Sequence, residues 1–237
     1  MRLSAPIYRL KRQAKLLSRK QNIPLHQALD RVAAGEGYKR WSHLAASAPQ
    51  PSLARAILDR LQGGELMLLA ARPGHGKTLA GLEVAARAHE RSMNGMFFTL
   101  DYTRRDVANR LKMIDGLPPG AADRLLVDTS DGICADYIIE RLRAAHGASI
   151  AVIDYLQLLD QRRETPDLDL QVAALKRHAD RTGDIIVAIS QIDRAFEMSG
   201  RDLPDLSDIR LPNPLEMSHF GSACFLHEGV AEFSEAA

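Results

Sequence analysis

Cysteine, aromatic residues and long apolar runs are scarce in this sequence, and each scarcity excludes a class of protein. Only Cys134 and Cys224 occur among 237 residues. They lie far apart and outside any CxxC motif, so we expect two buried small side chains in a reducing compartment rather than a disulfide framework or a zinc site. No apolar run approaches the ~18 residues of a membrane span, and the basic first residues lack the apolar core of a secretory signal. These absences predict a cytoplasmic protein without a membrane segment.

The net charge is only +1, but it is unevenly distributed. Residues 1–50 carry ten Lys and Arg against Asp30 and Glu36, which leaves 21 basic and 28 acidic residues in the rest. This contrast predicts two domains, a small basic all-α domain over residues 1–50 and a larger one over 51–237. The Pro-rich stretch at 47–52 is the expected linker.

The basic front segment predicts two or three short helices. Pro24 is expected to begin the second helix and the glycines at 35 and 37 to end it. Apolar residues at helical spacing are expected to form a small core: Leu10, Ala14, Leu17, Tyr38, Trp41 and Leu44.

Strand and helix patterns alternate through the larger domain. The apolar runs ELMLLAA, GMFFTLD, RLLVDTS, SIAVID and DIIVAIS, with SACFLHE as the last, are typical of strands buried on both faces. Amphipathic segments separate most of them. The fold class predicted is therefore α/β, with a mainly parallel sheet flanked by helices.

The stretch ARPGHGKT, which begins at Ala71, matches the phosphate-loop pattern G-x-x-x-x-G-K-[ST] except at its first position. A strand precedes it and a helix follows, as a loop that presents backbone N–H groups to phosphates requires. Lys77 is expected to reach the β- and γ-phosphates of ATP, and the Thr78 hydroxyl to bind Mg²⁺. Arg72 and His75 are expected to be exposed. The remaining predicted nucleotide contacts are the loop and its helix start: Arg72, Pro73, Gly74, His75, Gly76 and Leu79.

Two polar residues end later strands. Asp154 closes SIAVID, where a carboxylate can hold Mg²⁺ through water, although an Asp that merely caps a turn is a common alternative. Gln191 follows DIIVAIS and is a candidate sensor of the γ-phosphate, or else a turn residue. With Lys77, these residues form the predicted catalytic set.

Four segments, AARPGHGKT, VIDYLQLL, ISQIDRAFE and SDIR, closely resemble in order and spacing the RecA-like motor domain of DnaB-type replicative DNA helicases. The resemblance covers residues 53–229, and in that family alanine commonly replaces the first loop glycine. It implies a RecA-like P-loop ATPase that uses ATP and Mg²⁺, assembles as a ring and acts on single-stranded DNA.

The resemblance also implies individual roles. Arg110 matches the arginine that stacks on adenine, although a solvated helix charge is an equal alternative. Residues 192–214 match a loop region that faces the DNA channel, where Arg194, Arg201 and Arg210 are candidates for phosphate contacts. Aspartates interrupt this region at 193, 202, 205 and 208, so it is not strongly basic.

Three departures from the family pattern lower the expected activity. Asp101 stands where the family has its catalytic glutamate, and this shorter side chain is expected to hold the attacking water less well. LPNPLEM after SDIR lacks the acidic and glycine residues that the family has at the DNA contact. We also expect no strand pair with an arginine finger before the sequence ends at Ala237, and such a finger is worth roughly 10³–10⁵ in rate.

Two hypotheses about function follow. The first is a DnaB-like ATPase related to DNA replication or remodelling, whose autonomous unwinding is doubtful. The second is a nucleotide-gated switch that binds DNA or a partner with little hydrolysis. In the front domain, Lys11, Arg12 and Lys15 are candidates for contacts with nucleic acid, or for docking on an acidic protein surface.

Overall fold

The structure, a computed structural model, describes residues 3–5, 7–47, 52–160, 165–211, 213–227 and 230–235. The chain divides into two compact units: Met1–Ser52 with Glu228–Ala231, and Leu53–His227 with Glu232–Ala237. Most of the predicted linker, residues 48–51, lies outside the described residues. No helix in the described ranges is both long and apolar enough to cross a membrane.

The first unit contains three helices, α1 (Ile7–Gln21), α2 (Leu25–Gly35) and α3 (Trp41–Ser47). Pro24 precedes α2 with φ −56°, a torsion that the proline ring favours at a helix start. Gly37 adopts φ 85° after the helix, which only glycine does readily. The predicted small core is present, because Leu10, Ala33 and Leu44 are buried and Tyr38 and Trp41 pack against them.

The later elements alternate as the sequence predicted. They are α4 (Leu53–Leu58), β1 (Leu66–Ala71), α5 (Lys77–Ala86), β2 (Asn94–Thr99), α6 (Arg104–Leu111), α7 (Ala121–Arg124), β3 (Leu126–Asp128), α8 (Ala135–Ala144), β4 (Ser149–Asp154), α9 (Leu168–Thr182), β5 (Ile185–Gln191), α10 (Ala195–Met198), β6 (Ser222–His227) and β7 (Val230–Glu235). The strands form one sheet in the order β3-β2-β4-β5-β1-β6-β7. The pairings from β3 through to β6 are parallel.

Helices cover both faces of the central strands, which explains why β1 and β4 are apolar at nearly every position. In β4, Ala151 and Ile153 belong to a core cluster with residues of α8 and α9. Val152, between them, points to the other face and lies against Gly81 of α5, where an added Cβ would be 3.0 Å from its side chain. The predicted α/β fold is therefore confirmed.

Two expectations from the sequence are wrong. SACFLHE is not the last strand, because β7 follows it. The run VAEFSE of β7 is only partly buried and lacks the apolar pattern that revealed the central strands. Cys134 is only partly buried, since it precedes α8 at the protein surface, whereas Cys224 is fully buried in β6. Burial raises the pKa of the Cys224 thiol to about 12.

Candidate nucleotide-binding site

The loop between β1 and α5 has the geometry of a phosphate cradle. Gly74 and Gly76 adopt φ values of 80° and 88°, a left-handed conformation that glycine adopts readily and that occurs in loops whose backbone N–H groups bind anions. The His75 N–H donates to the Arg72 carbonyl at 3.2 Å, and α5 begins directly afterwards at Lys77. A helix start of this kind favours anions, because its first N–H groups have no partner within the helix.

The register of the sheet brings the predicted strand-end residues to the same edge as this loop. Ala71 lies opposite Gln191, while Asp154 lies opposite both Thr99 and Ile189. The Thr78 hydroxyl donates to a carboxylate oxygen of Asp154 at 3.4 Å. The two motifs that the sequence singled out are therefore adjacent in space.

Burial and neighbouring charges determine the pKa values of the ionisable residues at this edge of the sheet. Burial lowers the pKa of Lys77, while the nearby carboxylates of Asp154 and Asp101 act in the opposite direction. Burial raises the pKa of Asp154 to about 6, although the Thr78 hydrogen bond and the Lys77 charge partly offset it. Since Lys77 is only 8% exposed, this ammonium group is poorly hydrated and suited to binding a multiply charged anion.

Asp154 and Thr78 have the donor atoms that a magnesium ion requires. The second carboxylate oxygen of Asp154 is buried and has no hydrogen-bond partner among the residues that the structure describes, and such an atom is costly unless a ligand satisfies it. A hydroxyl and a carboxylate are hard oxygen ligands, and Mg²⁺ usually takes one or two protein ligands besides phosphate and water. Accordingly, the described residues contain no cluster of three or more His, Cys, Asp or Glu able to hold a metal by themselves.

Asp101 lies two residues beyond the end of β2, beside the same cluster. Its backbone N–H donates to the buried Thr99 hydroxyl at 3.2 Å, which fixes the turn after the strand. Although the residue is exposed, the surrounding protein partly desolvates its carboxyl and so raises the pKa, and the Lys77 charge opposes this rise. Its role as the water-positioning residue stays a prediction.

Arg110 stacks on Tyr102, a partner that the sequence analysis missed. The guanidinium carbon lies 4.1 Å from the centre of the tyrosine ring, a favourable cation–π distance. The Arg110 charge also slightly opposes the rise in the pKa of Asp154, so the side chain is close enough to influence the site. Stacking of Arg110 on adenine stays a prediction.

The expectation that Arg72 is an exposed loop residue is wrong. Its side chain is 13% exposed and binds Glu197 at 2.7 Å and the Ile192 carbonyl at 3.0 Å. His75 is also partly buried, with its ring 5.1 Å from that of His227. The partners of Arg72 and His75 are far from the loop in sequence, so the local sequence pattern could not predict their burial.

The Gln191 backbone carbonyl accepts the Arg210 N–H at 2.8 Å, and its predicted role as γ-phosphate sensor stays untested. Gln157, which the sequence analysis did not select, donates to the Ser190 hydroxyl and the Arg210 carbonyl at 3.2 and 2.6 Å. Its position in the specific run IDYLQLL was the available signal. Gln157 thus joins the segment after β4 to the end of β5.

The predicted nucleic-acid contacts differ in their surroundings. Arg194 and Arg210 are exposed, whereas Arg201 forms ion pairs with Asp205 and Asp208, which neutralise its charge. On α1, the three predicted residues are partly exposed: Lys11, Arg12 and Lys15. Contact with nucleic acid stays a prediction for all six.

Comparisons with known proteins agree with the motifs. A family model described as the DnaB-like helicase C terminal domain matches residues 121–218. The replicative DNA helicase DnaB of Leifsonia xyli subsp. xyli is 28% identical over 191 residues, which cover 68% of this chain and 42% of that protein. DnaB of Geobacillus stearothermophilus is 26% identical over 198 residues, which cover 67% of this chain and 43% of that protein. Over about two thirds of its length, the chain is similar to DnaB-type replicative helicases.

Solved structures share the fold. A DnaB-like replicative helicase, solved in a study of its interactions with primase, superposes with a TM-score of 0.56 at 20% identity, covering 92% of this chain and 66% of that one. A separately solved ATPase domain gives 0.58 at 23% identity, with coverage of 79% and 80%. At these identities the likeness concerns the RecA-like fold alone.

Two limits apply to the DnaB-type relationship. The chain spans less than half the length of the two curated DnaB relatives. The family-model match begins at residue 121, after the phosphate loop, although it includes Asp154 and Gln191. The assignment of the loop therefore depends on its own geometry.

Proposed function

We propose that this chain is a DnaB-like P-loop ATPase that binds and hydrolyses ATP with Mg²⁺ and engages single-stranded DNA, in replication or remodelling of DNA. One observation carries the proposal. The phosphate loop, the poorly hydrated Lys77 and the adjacent oxygens of Thr78 and Asp154 meet at one edge of the sheet. One Asp154 oxygen there is buried and has no hydrogen-bond partner in the described part of the chain.

Each group then has a distinct task. Backbone N–H groups of residues 74–78 bind the β- and γ-phosphate oxygens, and Lys77 adds a positive charge to them. The Asp101 carboxylate accepts a hydrogen bond from the attacking water and orients it toward the γ-phosphorus. When bound, Mg²⁺ neutralises charge that develops on the phosphoryl oxygens. Thr78 and Asp154 would hold the metal.

Contact with DNA is proposed through the segment after β5. Arg194 and Arg210 are exposed there, and neither has an ion pair within the described part of the chain. Exposed arginines contact nucleic-acid phosphates without reading sequence. The similar proteins are named replicative DNA helicases. The proposal also includes a ring of identical subunits and a protein partner that binds the basic first unit.

A specific feature favours a second candidate function. Asp101 is one methylene shorter than the glutamate that the family resemblance implies, and a displacement of about 1 Å in such a group can cost ~100-fold in rate. A site of this kind binds ATP but hydrolyses it slowly. The chain would then act as a nucleotide-gated switch that binds DNA or a protein.

Replacement of Lys77 tests the nucleotide site. We expect Lys77→Ala to lower ATP affinity by at least ~100-fold, because the loop loses its charge-assisted contact to the phosphates. Isothermal titration calorimetry with ATP and Mg²⁺ measures this directly. The matched control is Lys176→Ala, since Lys176 pairs with Asp180 on the surface of α9. Equal affinity of the Lys77 variant and the wild type would remove the assignment of the loop.

A further inference from the structure

The phosphate loop is tied to the segment that follows β5, which we call the post-β5 segment (residues 192–198). Arg72, the second residue of the loop, uses two nitrogens of its guanidinium group for this contact. One donates to the Glu197 carboxylate at 2.7 Å and the other to the Ile192 carbonyl at 3.0 Å. The partners are 125 and 120 residues away in the chain, so the contact joins two separate parts of the unit.

A second contact joins the same two elements. The His75 ring lies 5.1 Å from that of His227, at the end of β6. The Phe196 ring meets the same His227 ring edge-on at 5.0 Å. His227 therefore lies between the loop and the post-β5 segment, so the loop touches this segment directly through Arg72 and indirectly through His75.

The charge of Arg72 influences the nucleotide site. The Arg72 guanidinium helps to lower the pKa of Lys77, although burial of Lys77 is the larger cause. The hydrogen bond from Arg72 lowers the pKa of Glu197, which keeps this carboxylate ionised at neutral pH. The ion pair thus holds a charged arginine near the lysine that is expected to bind phosphate.

We propose that Glu197 is a positioning residue of the nucleotide site, which acts through Arg72 to hold the phosphate loop and to transmit nucleotide occupancy to the post-β5 segment. This inference rests on the proposed function, because it requires that the loop binds ATP. Phosphates that fix the N–H groups of residues 74–78 also restrict Arg72, which lies just before them in the same loop. A restricted Arg72 in turn restricts the segment that it binds.

Hydrogen–deuterium exchange provides the test. We expect a non-hydrolysable ATP analogue with Mg²⁺ to slow amide exchange in residues 72–78 and in residues 192–198 of the wild type. In Glu197→Gln the slowing in 192–198 is lost and that in 72–78 is retained, because the charge-assisted bond is gone while the cradle remains. The affinity for the analogue falls by only about two- to fivefold, as Glu197 is largely exposed.

Two further variants make the result specific. Asp180→Asn removes the same charge from another exposed ion pair, that with Lys176, and should leave both exchange effects intact. Arg72→Lys keeps the positive charge but cannot make both contacts at once, and should behave like Glu197→Gln.

The inference would be overturned if the wild type slowed only in 72–78, or if Glu197→Gln kept the full effect in 192–198. Either outcome leaves ATP binding intact. By contrast, failure of the proposed function itself would appear as a wild type that shows no slowing in 72–78.

Discussion

Burial of the Asp154 carboxylate destabilises the folded state but suits a site that binds a cation. The pKa of this carboxyl is raised from 3.8 to about 6, so the folded chain binds a proton more tightly than the unfolded chain. Stability therefore falls as the pH rises from about 4 to 6, and the penalty is complete above that range. A carboxylate kept at such a cost is typical of a functional site.

Substitution of this residue should separate stability from binding. We expect Asp154→Asn to stabilise the ligand-free protein by about 1–3 kcal/mol at pH 7.5, because the buried charge is removed. The gain should shrink as the pH is lowered below 6, where the wild-type carboxyl is already protonated. Denaturant unfolding at several pH values measures this. In parallel, the Mg²⁺-dependent part of the ATP affinity should be lost. A variant less stable than the wild type at pH 7.5 would contradict this account.

Single residues of the site differed in how far the sequence predicted them. Lys77, Thr78 and Asp154 follow a local pattern at strand ends, and parallel pairing then brings those ends together. Arg72 was misjudged because its partner Glu197 is 125 residues away, and no local period reports such a contact. Tyr102 carried no motif, so its stacking on Arg110 appeared only in the structure.

Among the elements, β2 and α5 approach each other closely at Gly95. A Cβ built on Gly95 would lie 3.0 Å from the carbonyl carbon of Ala85 and closer still to its oxygen. Because both atoms are backbone, the helix itself must shift to admit a methyl group. The position of α5 matters for function, since its first residues are Lys77 and Thr78.

Gly95→Ala should therefore destabilise the second unit. We expect a loss of at least about 1–3 kcal/mol, the usual cost of an overpacked core, and a weaker affinity for ATP because the helix start is displaced. Urea unfolding and calorimetry measure the two effects. Gly63→Ala is the control, as its Cβ would meet its nearest atom at 3.5 Å, an ordinary contact. Equal stability of the two variants would mean that α5 tolerates the shift.

The elements that the sequence predicted best are those whose residue pattern is determined by burial alone. β1 and β4 are buried along their full length, so an unbroken apolar run was sufficient. The helix that follows the phosphate loop is short, because α5 ends at Ala86 and a 3₁₀ turn covers Ala88–Arg91. Arg87, at the break, binds Glu83, Glu90 and the Gly116 carbonyl, and this tertiary contact was not readable from local propensity.

At the scale of the whole molecule, the fold brings the residues of the candidate nucleotide site together, and the same fold is compatible with two functions. The RecA-like sheet, the candidate phosphate loop and the proposed metal ligands suit both a motor and a switch. What distinguishes them is whether ATP binding leads to turnover and whether DNA changes the rate. Asp101 lowers the expected rate of turnover, whereas the exposed Arg194 and Arg210 favour a response to DNA.

Turnover measured beside assembly mass decides between the two functions. We expect slow ATP hydrolysis, and we expect single-stranded DNA to raise its rate by at least ~10-fold. Oligomers should appear in native mass spectrometry under the same conditions, because several subunits bind the phosphates of one DNA strand. Lys77→Ala run in parallel gives the background rate. The stimulation should fall steeply between about 50 and 200 mM salt, as expected when arginines replace counterions. Tight ATP binding without turnover, in monomers and with DNA present, would instead identify the switch, because Asp101 would then bind water too loosely for catalysis at any assembly state.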